Sequence, residues 1–254
     1  MPPSTSENDK AKAAVVCVFC ASSTGNNPAH TESARTLARS LHESNISLVY
    51  GGGTRGIMGE LARTLVSLSG PESVHGIIPR PLIRTDPKYE QNAKQADLNS
   101  NSGSKDAERS MSADELQKID SGDKASLPQK SEYGLMTVVS DMHTRKKMMA
   151  QMVIEGGPGS GFVALAGGYG TIEEVMEMVT WSQLGIHKMP IVLVNIDGYW
   201  DGLLQWVRNS VKEGYVGESN AGILVEVKST DEVLDALKEY RDAQGRYNLD
   251  WSQG

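Results

Sequence analysis

Short apolar runs alternate with longer segments of helical periodicity along most of the chain. The apolar runs predict strands at about residues 15–19, 46–50, 74–78, 135–139, 161–166, 190–196 and 223–227. Between them, apolar residues recur three and four positions apart, as on one face of an amphipathic helix. These segments predict helices at about residues 29–44, 57–68, 141–149, 172–184, 199–211 and 230–240. Strands and helices in alternation indicate an α/β fold.

The apolar runs are continuous rather than alternating, which is typical of strands buried on both faces of a parallel sheet. Because crossovers between parallel strands are right-handed, helices cover both faces and the sheet is doubly wound. We therefore predict a single Rossmann-like domain over residues 14–240, with polar tails at 1–13 and 242–254. Ligands of such sheets bind beyond the carboxyl ends of the strands.

Two segments interrupt the alternation. From about residue 86 to 132, Ser, Asp, Lys, Gln, Asn and Ala dominate, and residues 91–131 contain no Val, Phe, Tyr or Trp. So little apolar area cannot offset the entropy of ordering, so we expect a disordered or weakly helical surface insertion. It is either a dispensable loop or a regulatory, partner-binding segment. The glycine-rich residues 156–161 are expected to form a second, shorter flexible insertion.

Composition narrows the possible partners. The 254 residues carry a net charge of -7 and give a pI near 5.3, whereas a nucleic-acid scaffold needs a basic face. No apolar run reaches the roughly 18 residues of a membrane span. The first twelve residues lack the apolar core of a signal peptide. We therefore expect a cytoplasmic protein that binds neither nucleic acid nor membrane.

The two cysteines, Cys17 and Cys20, form a C-x-x-C in and just after the first predicted strand. Three positions apart on a strand, their side chains face opposite sides of the sheet, so plain buried thiols are favoured over a redox pair. The histidines show no metal-ligand spacing, and the chain has neither paired C-x-x-C motifs nor H-E-x-x-H. We expect no metal site.

A glycine turn follows the strand predicted at residues 161–166. Its residues are, in order, Gly167, Gly168, Gly170 and Thr171. Free N–H groups at a helix N-terminus, approached closely through glycine, form an anion site. Thr171 and Glu174 also match a capping box, with Thr at the N-cap and Glu at N3. Glu173 adds a second carboxylate in the first turn, so structural and chemical roles of the two glutamates both stay open.

A second glycine turn, Gly51-x-Gly53-x-x-Gly56, follows the second predicted strand. The spacing matches the dinucleotide fingerprint, but that fingerprint belongs after a first strand. The next strand ends in Ile78-Pro-Arg80, without an acidic residue for a ribose. NAD binding, a tight structural turn and one wall of a nucleotide pocket therefore all stay open. The chain has no P-loop motif.

A cluster of basic residues lies near the start of the helix predicted at residues 141–149. Arg145, Lys146 and Lys147 fall in its first or second turn, where the helix dipole disfavours cations. They form either a solvated charged face or part of a site, since this helix follows a strand at the same edge of the sheet as the glycine turns.

Four motifs resemble those of the "lonely guy" (LOG) cytokinin-activating phosphoribohydrolases. They are Gly51-Gly-Gly-Thr-x-Gly-Ile-Met-Gly59, Met142-His-x-Arg-Lys146, Gly167-Gly-Tyr-Gly-Thr-x-Glu-Glu174 and Thr180-Trp-Ser-Gln-Leu-Gly-Ile-His187. The similarity covers about residues 14–82 and 133–240, and four motifs in order are far more specific than any one of them. Members of this family were often labelled lysine decarboxylases, but nothing here resembles a pyridoxal-phosphate site with its lysine.

The resemblance implies a homodimer without a cofactor that hydrolyses the N-glycosidic bond of an N6-substituted adenosine 5′-monophosphate. The products would be the free base and ribose 5-phosphate, with Arg145 and Glu174 as catalytic residues. The residues implied to bind the nucleoside monophosphate are Ser22, Gly51, Gly52, Gly53, Thr54, Met142, Lys146, Gly167, Gly168, Gly170, Thr171, Glu173 and Thr180. The alternative is a carrier or sensor of the same fold that binds the nucleotide without turnover.

The chain departs from the family pattern in three places. Ala166 stands where the family usually has proline, a change that loses backbone stiffness but no chemical group. The insertion at 86–132 lies where the family carries an acidic residue that contacts the substrate, with Glu90 and Glu132 as candidates. The insertion at 156–161 lengthens the spacing between the two catalytic candidates.

Overall fold

The computed structural model describes residues 12–83 and 129–251, and in these residues all strands belong to one sheet. The strands are β1 Val15–Phe19, β2 Ser47–Tyr50, β3 Val74–Pro79, β4 Gln129–Ser131, β5 Gly134–Val139, β6 Gly161–Ala164, β7 Ile191–Val194 and β8 Leu224–Val227. The α-helices are α1 Pro28–Glu43, α2 Gly56–Ser69, α3 Arg80–Ile83, α4 Met142–Ile154, α5 Tyr169–Gln183, α6 Asp201–Lys212 and α7 Val233–Glu239. The predicted alternation is confirmed.

The strand order is β4-β5-β3-β2-β1-β6-β7-β8, and every pair except β4 with β5 is parallel. From β1 the chain moves outward through β2, β3 and β5, then returns to place β6 on the other side of β1. The order therefore reverses between β1 and β6. In an open parallel sheet, the crevice beyond the carboxyl ends at such a point is where ligands bind.

Two apolar layers cover the sheet. Helices α1, α2 and α7 pack on one face, and α4, α5 and α6 pack on the other. Fully buried side chains such as Leu37 on the first face and Met149 on the second each contribute roughly 1.5–3 kcal/mol. Cys20 lies in the first layer and Cys17 in the second, both as buried free thiols. Their predicted placement on opposite faces is confirmed.

Strand β4 corrects the predicted extent of the long insertion. Its residues, which the sequence assigned to a disordered segment, pair antiparallel with β5. Tyr133 fastens the connecting turn, because its ring is buried and its carbonyl accepts from the Tyr50 hydroxyl at 3.2 Å. This segment forms a strand despite its low apolar content, because its backbone pairs with β5 and the buried Tyr133 ring holds the connecting turn. Residues 86–128 of the insertion, 1–11 and 252–254 lie outside the described residues.

The segment 156–161 is a hydrogen-bonded turn rather than the flexible insertion predicted from its glycines. The Gly157 N–H donates to the Ala13 carbonyl at 2.9 Å. The Ser160 hydroxyl donates to the Gly157 carbonyl at 2.7 Å and accepts from the Val15 N–H at 2.8 Å. Glycine is needed for close approach, because a Cβ on Gly157 would lie 1.8 Å from the Lys12 carbonyl oxygen. The turn therefore carries the chain from α4 into β6 along the start of β1.

The segment after α7 packs against the C-terminal end of α5. The Arg246 guanidinium donates to the carbonyls of Ser182 and His187. The Tyr247 N–H donates to the Gln183 carbonyl at 2.8 Å. A cation at this end of a helix complements the helix dipole. Across residues 12–83 and 129–251, none of the helices combines the length and the apolar character that crossing a membrane requires.

Candidate active site

Three loops meet at the carboxyl edge of the sheet where the strand order reverses. The Ala21 N–H, after β1, donates to the Ala166 carbonyl, after β6, at 3.0 Å. The Ala21 carbonyl in turn accepts from the Met58 N–H of α2 at 3.1 Å. These bonds place Ser22 between the two glycine turns. These backbone hydrogen bonds are enough to bring the two glycine turns together at one edge of the sheet, as predicted.

The glycine turn after β6 leads directly into α5, which begins at Tyr169 with Gly168 as its N-cap. The capping box that Thr171 and Glu174 match in the sequence does not form, because Thr171 lies inside the first turn and no side chain caps the helix. Thr171 is buried, and a Cβ on Gly167 would lie 2.0 Å from its hydroxyl. The first N–H groups of a helix lack intrahelical partners. Without a side-chain cap, they are available to an anion.

The outer side of this turn is open. A Cβ added to Gly168 or Gly170 would meet nothing within 4 Å. Glycine at these two positions is therefore not required for packing within the chain. What it does provide is space beside the helix N-terminus, where a ligand can approach the backbone closely.

The glycine turn after β2 lies directly against Arg145. A Cβ on Gly51 would stand 1.9 Å from Nη2 of Arg145. Gly52 has a φ of 76°, and a Cβ on Gly53 would lie 3.3 Å from the sulfur of Met58. Thr54 follows and is half-buried. The turn is therefore both a tight structural turn and the surface on which the guanidinium rests.

Arg145 is buried, although it lies in the first turn of α4. Asp141 caps this helix, accepting from the Thr144 N–H at 2.9 Å. Nε of Arg145 donates to the Ile77 carbonyl at 3.2 Å, and Nη2 lies 3.1 Å from Oε1 of Glu174. Lys147 is exposed, as expected for a residue of a solvated charged face. Of the basic cluster, Arg145 therefore belongs to the interior and Lys147 to the surface.

Glu174 is the electrostatically unusual group. Burial raises the pKa of its carboxyl to about 7, although the charge of Arg145 lowers it. Its Oε1 has no aligned hydrogen bond in the described residues, so the contact with Arg145 is an ion pair only. A buried carboxylate that lacks full hydrogen bonding is costly for stability. Such groups concentrate at functional sites.

Lys146 forms ion pairs with two carboxylates of α5, Glu173 and Glu177, the second at 3.1 Å. Burial lowers the pKa of Lys146, but hydrogen bonds to these carboxylates outweigh it and raise the pKa above its usual value. Glu177 was missed in the sequence, where its spacing of four from Glu173 was the available signal. The ion pairs clamp α4 to α5 beside the Arg145–Glu174 pair.

Two other predicted binding residues have different surroundings. The Met142 sulfur lies 3.7 Å from Nη1 of Arg145, with the side chain partly exposed. Thr180 is exposed, and its hydroxyl donates to the Met176 carbonyl of its own helix. Six residues beyond Glu174, it lies about 9 Å farther along the axis of α5. The structure thus brings Met142 to the buried pair and does not bring Thr180 there.

Tyr199, which no sequence motif indicated, contacts the glycine turn from the loop between β7 and α6. Its hydroxyl donates to the Gly167 carbonyl at 2.6 Å. The two residues are 32 positions apart, so only the parallel pairing of β6 and β7 brings them together.

The fold and this site define a class of protein. It is a doubly wound α/β protein with an uncapped glycine turn and a buried arginine–glutamate pair at the reversal point of the sheet. A family profile described as "Possible lysine decarboxylase" matches residues 58–237, well over half of the chain. The chain belongs to this family, which includes the LOG proteins, and the resemblance seen in the four motifs is confirmed.

Named relatives agree with this assignment. A bifunctional cytokinin biosynthesis protein of Fusarium pseudograminearum (strain CS3096) is 45% identical over 240 residues, which are 94% of this chain and 43% of that protein. The chain thus spans less than half the length of this relative. A cytokinin riboside 5′-monophosphate phosphoribohydrolase of Arabidopsis thaliana is 35% identical over 234 residues, which are 92% of this chain and 87% of that protein.

A solved structure supports the fold. The molybdenum cofactor carrier protein of Chlamydomonas reinhardtii superposes with a TM-score of 0.53, covering 90% of this chain and 98% of that one. At 14% sequence identity, this similarity concerns the architecture alone.

Proposed function

We propose that this protein is a phosphoribohydrolase of N6-substituted adenosine 5′-monophosphates, releasing the free base, a cytokinin, and ribose 5-phosphate. The observation that carries the proposal is the buried Arg145–Glu174 pair beside an uncapped glycine turn. The carboxylate of the pair suits a cationic transition state, and the glycine turn suits a phosphate. A cytokinin riboside 5′-monophosphate, which the names of the relatives give as substrate, has a phosphate and a glycosidic bond whose cleavage develops such a cation.

The phosphate binds at the N-terminus of α5. Its charge is met by the N–H groups from Gly168 to Thr171 and by the helix dipole. Ser22 and the turn from Gly51 to Thr54 form the adjacent wall. Because the phosphate is remote from the bond that breaks, its binding energy serves to position the ribose.

Glu174 acts on the anomeric carbon. As the C1′–N9 bond breaks, its electron pair leaves with the base and the ribose develops an oxocarbenium-like cation. The Glu174 carboxylate stabilises this cation and orients the water, whose oxygen bonds to C1′. One proton of the water ends on the base and the other stays on the new hydroxyl. Arg145 keeps the carboxylate in place, since its guanidinium is held by the Ile77 carbonyl.

The geometry disfavours the decarboxylase label of the family profile. A lysine that forms a Schiff base must lose its proton easily. Lys146, the lysine beside the pair, is held by two carboxylates that keep its ammonium form. We expect neither amine nor carbon dioxide from lysine.

The decisive experiment is a product assay with N6-isopentenyl-AMP and AMP, followed by detection of free base and ribose 5-phosphate. Arg145→Ala and Glu174→Ala should each lower base release at least about a hundredfold while the protein stays folded. Glu213→Gln, at an exposed position after α6, is the control and should keep full activity. Binding without product would identify a carrier or sensor instead, and turnover retained in both alanine variants would refute the catalytic assignment.

We also propose that the protein is a cytoplasmic homodimer that binds no nucleic acid. The net charge of -7 supports the last point, because nucleic-acid binding requires a basic surface. The dimer rests on the resemblance to the LOG family. Light scattering coupled to size-exclusion chromatography tests it, and a mass of one chain at micromolar concentration would contradict it.

A further inference from the structure

We propose that Tyr199 is a positioning residue that sets the orientation of the phosphate-binding turn. The inference rests on the proposed function of that turn. Its basis is the hydrogen bond from the Tyr199 hydroxyl to the Gly167 carbonyl, 2.6 Å long, which joins the β7–α6 loop to the turn after β6.

The hydrogen bond determines where a neighbouring N–H group points. The Gly167 carbonyl and the Gly168 N–H belong to the same peptide unit, which is planar and trans. In such a unit the C=O and N–H bonds point in opposite directions. By holding the carbonyl on its own side, Tyr199 directs the Gly168 N–H to the other side of the turn. That N–H is one of the groups proposed to bind the phosphate.

A Gly–Gly peptide needs such a restraint. Glycine on both sides of the peptide unit makes rotation of its plane easy, because no Cβ restricts the flanking dihedral angles. Rotated by half a turn, the unit would present the Gly167 oxygen to the ligand instead of the Gly168 hydrogen, and a carbonyl oxygen repels a phosphate. A Cβ at Gly168 would meet nothing within 4 Å, so no packing contact on that side of Gly168 takes the place of the hydrogen bond.

Tyr199 is itself held from both ends of its loop. Buried Asn195 accepts from the Trp200 N–H at 2.7 Å and donates to Asp201, which anchors the loop on the α6 side. Asp197 has a φ of 51°, and its carboxylate accepts from the Asn27 amide at 2.8 Å. The loop is therefore fixed to the sheet on one side and to the start of α1 on the other.

The ring of Tyr199 contacts two other rings, although the residue as a whole is 47% exposed. The His30 ring meets it edge-on, with centroids 5.1 Å apart, and the Trp200 ring meets it at 4.8 Å. Removing the hydroxyl alone therefore leaves the ring in place. The change Tyr199→Phe isolates the hydrogen bond from the packing.

The prediction is a selective loss of affinity for phosphate-bearing ligands. Losing one neutral hydrogen bond that preorganises a site weakens binding about fivefold. In Tyr199→Phe we expect the Kd for ribose 5-phosphate, by calorimetry, and the KM for N6-isopentenyl-AMP to rise by about that factor. The kcat/KM for the corresponding riboside, which lacks the phosphate, should stay unchanged. Tyr215→Phe, the same change at a tyrosine that is 86% exposed, should behave as wild type.

The outcomes separate the two proposals. An equal loss for monophosphate and riboside would show that Tyr199 has only a structural role, and no loss for either would show that the hydrogen bond is dispensable. Either result overturns the inference and leaves the proposed function standing. If the wild-type protein binds neither ribose 5-phosphate nor the monophosphate, the proposed function fails and this inference fails with it. If the wild-type protein binds both ligands without turnover, the change in Kd between wild type and Tyr199→Phe alone tests the role of Tyr199.

Discussion

The buried carboxyl of Glu174 predicts how the proposed reaction depends on pH. Its pKa is raised from 4.5 to about 7 by burial, against the opposing charge of Arg145. A carboxylate that stabilises a cation must be ionised, so activity is present above this pKa and is lost as the pH falls through it. At pH 6 about a tenth of Glu174 is ionised, and at pH 5 about a hundredth. The kcat/KM should therefore fall about tenfold per pH unit below neutrality and be level above it.

The change Glu173→Gln tests whether Glu174 is the titrating group. The negative charge of Glu173 raises the pKa of Glu174, so its removal should shift the acidic limb of the profile to lower pH. The substrate phosphate also titrates near pH 6. Because that titration is the same for both proteins, only the difference between their profiles reports on Glu174.

The assay measures initial rates of base release by chromatography between about pH 5 and about pH 9, with substrate well below KM. Glu213→Gln makes the same chemical change at an exposed position and should leave the limb where it is in wild type. A profile that is identical in Glu173→Gln and wild type would refute the reasoning. So would a kcat/KM that falls as the pH rises through 7, because that sign requires a protonated group.

Three further predictions concern stability and geometry. Gly51→Ala places a Cβ 1.9 Å from Nη2 of Arg145, so it should reduce base release about a hundredfold with an unchanged circular dichroism spectrum, whereas Gly202→Ala, in open space, should leave the rate unchanged. Glu174→Gln mimics the protonated carboxyl. Because the raised pKa makes ionisation unfavourable in the folded state, the variant should be more stable than wild type by up to about 3 kcal/mol at pH 8, with the gain vanishing near pH 4 in urea titrations. Arg246→Ala removes a buried cation from two carbonyls at the end of α5 and should lower the free energy of unfolding by about 2 kcal/mol; an unchanged urea midpoint would contradict this.

The sheet and its helices were predictable because their signals are local. A strand buried on both faces reads as a continuous apolar run, and an amphipathic helix repeats every three to four residues. Only β4 was missed among the described strands. Its three residues have no apolar pattern, and their pairing with β5 depends on a hairpin and on Tyr133 rather than on their own composition.

The parts of the candidate site were predictable because each is a short motif at the end of a strand. Glycine turns after strands and a basic cluster early in a helix indicated an anion site at one sheet edge. The exact start of α5 was not readable, since Thr171 is a good N-cap residue by type but packs inside the turn against Gly167. At this position, tertiary packing outweighs the local preference of threonine for the N-cap.

What the sequence by itself determined is the set of elements, their order and the motifs at the strand ends, since all of these depend on neighbours within a few residues. What only the tertiary structure decided is which charges are buried and which distant groups meet. Arg145 and Lys147 are both basic and lie two positions apart, yet of the two only Arg145 points into the interior beside Glu174. Burial raises the pKa of Glu174, and burial is a property of the packed chain. The same holds for Tyr199, whose contact with Gly167 exists because β7 lies next to β6 in the sheet.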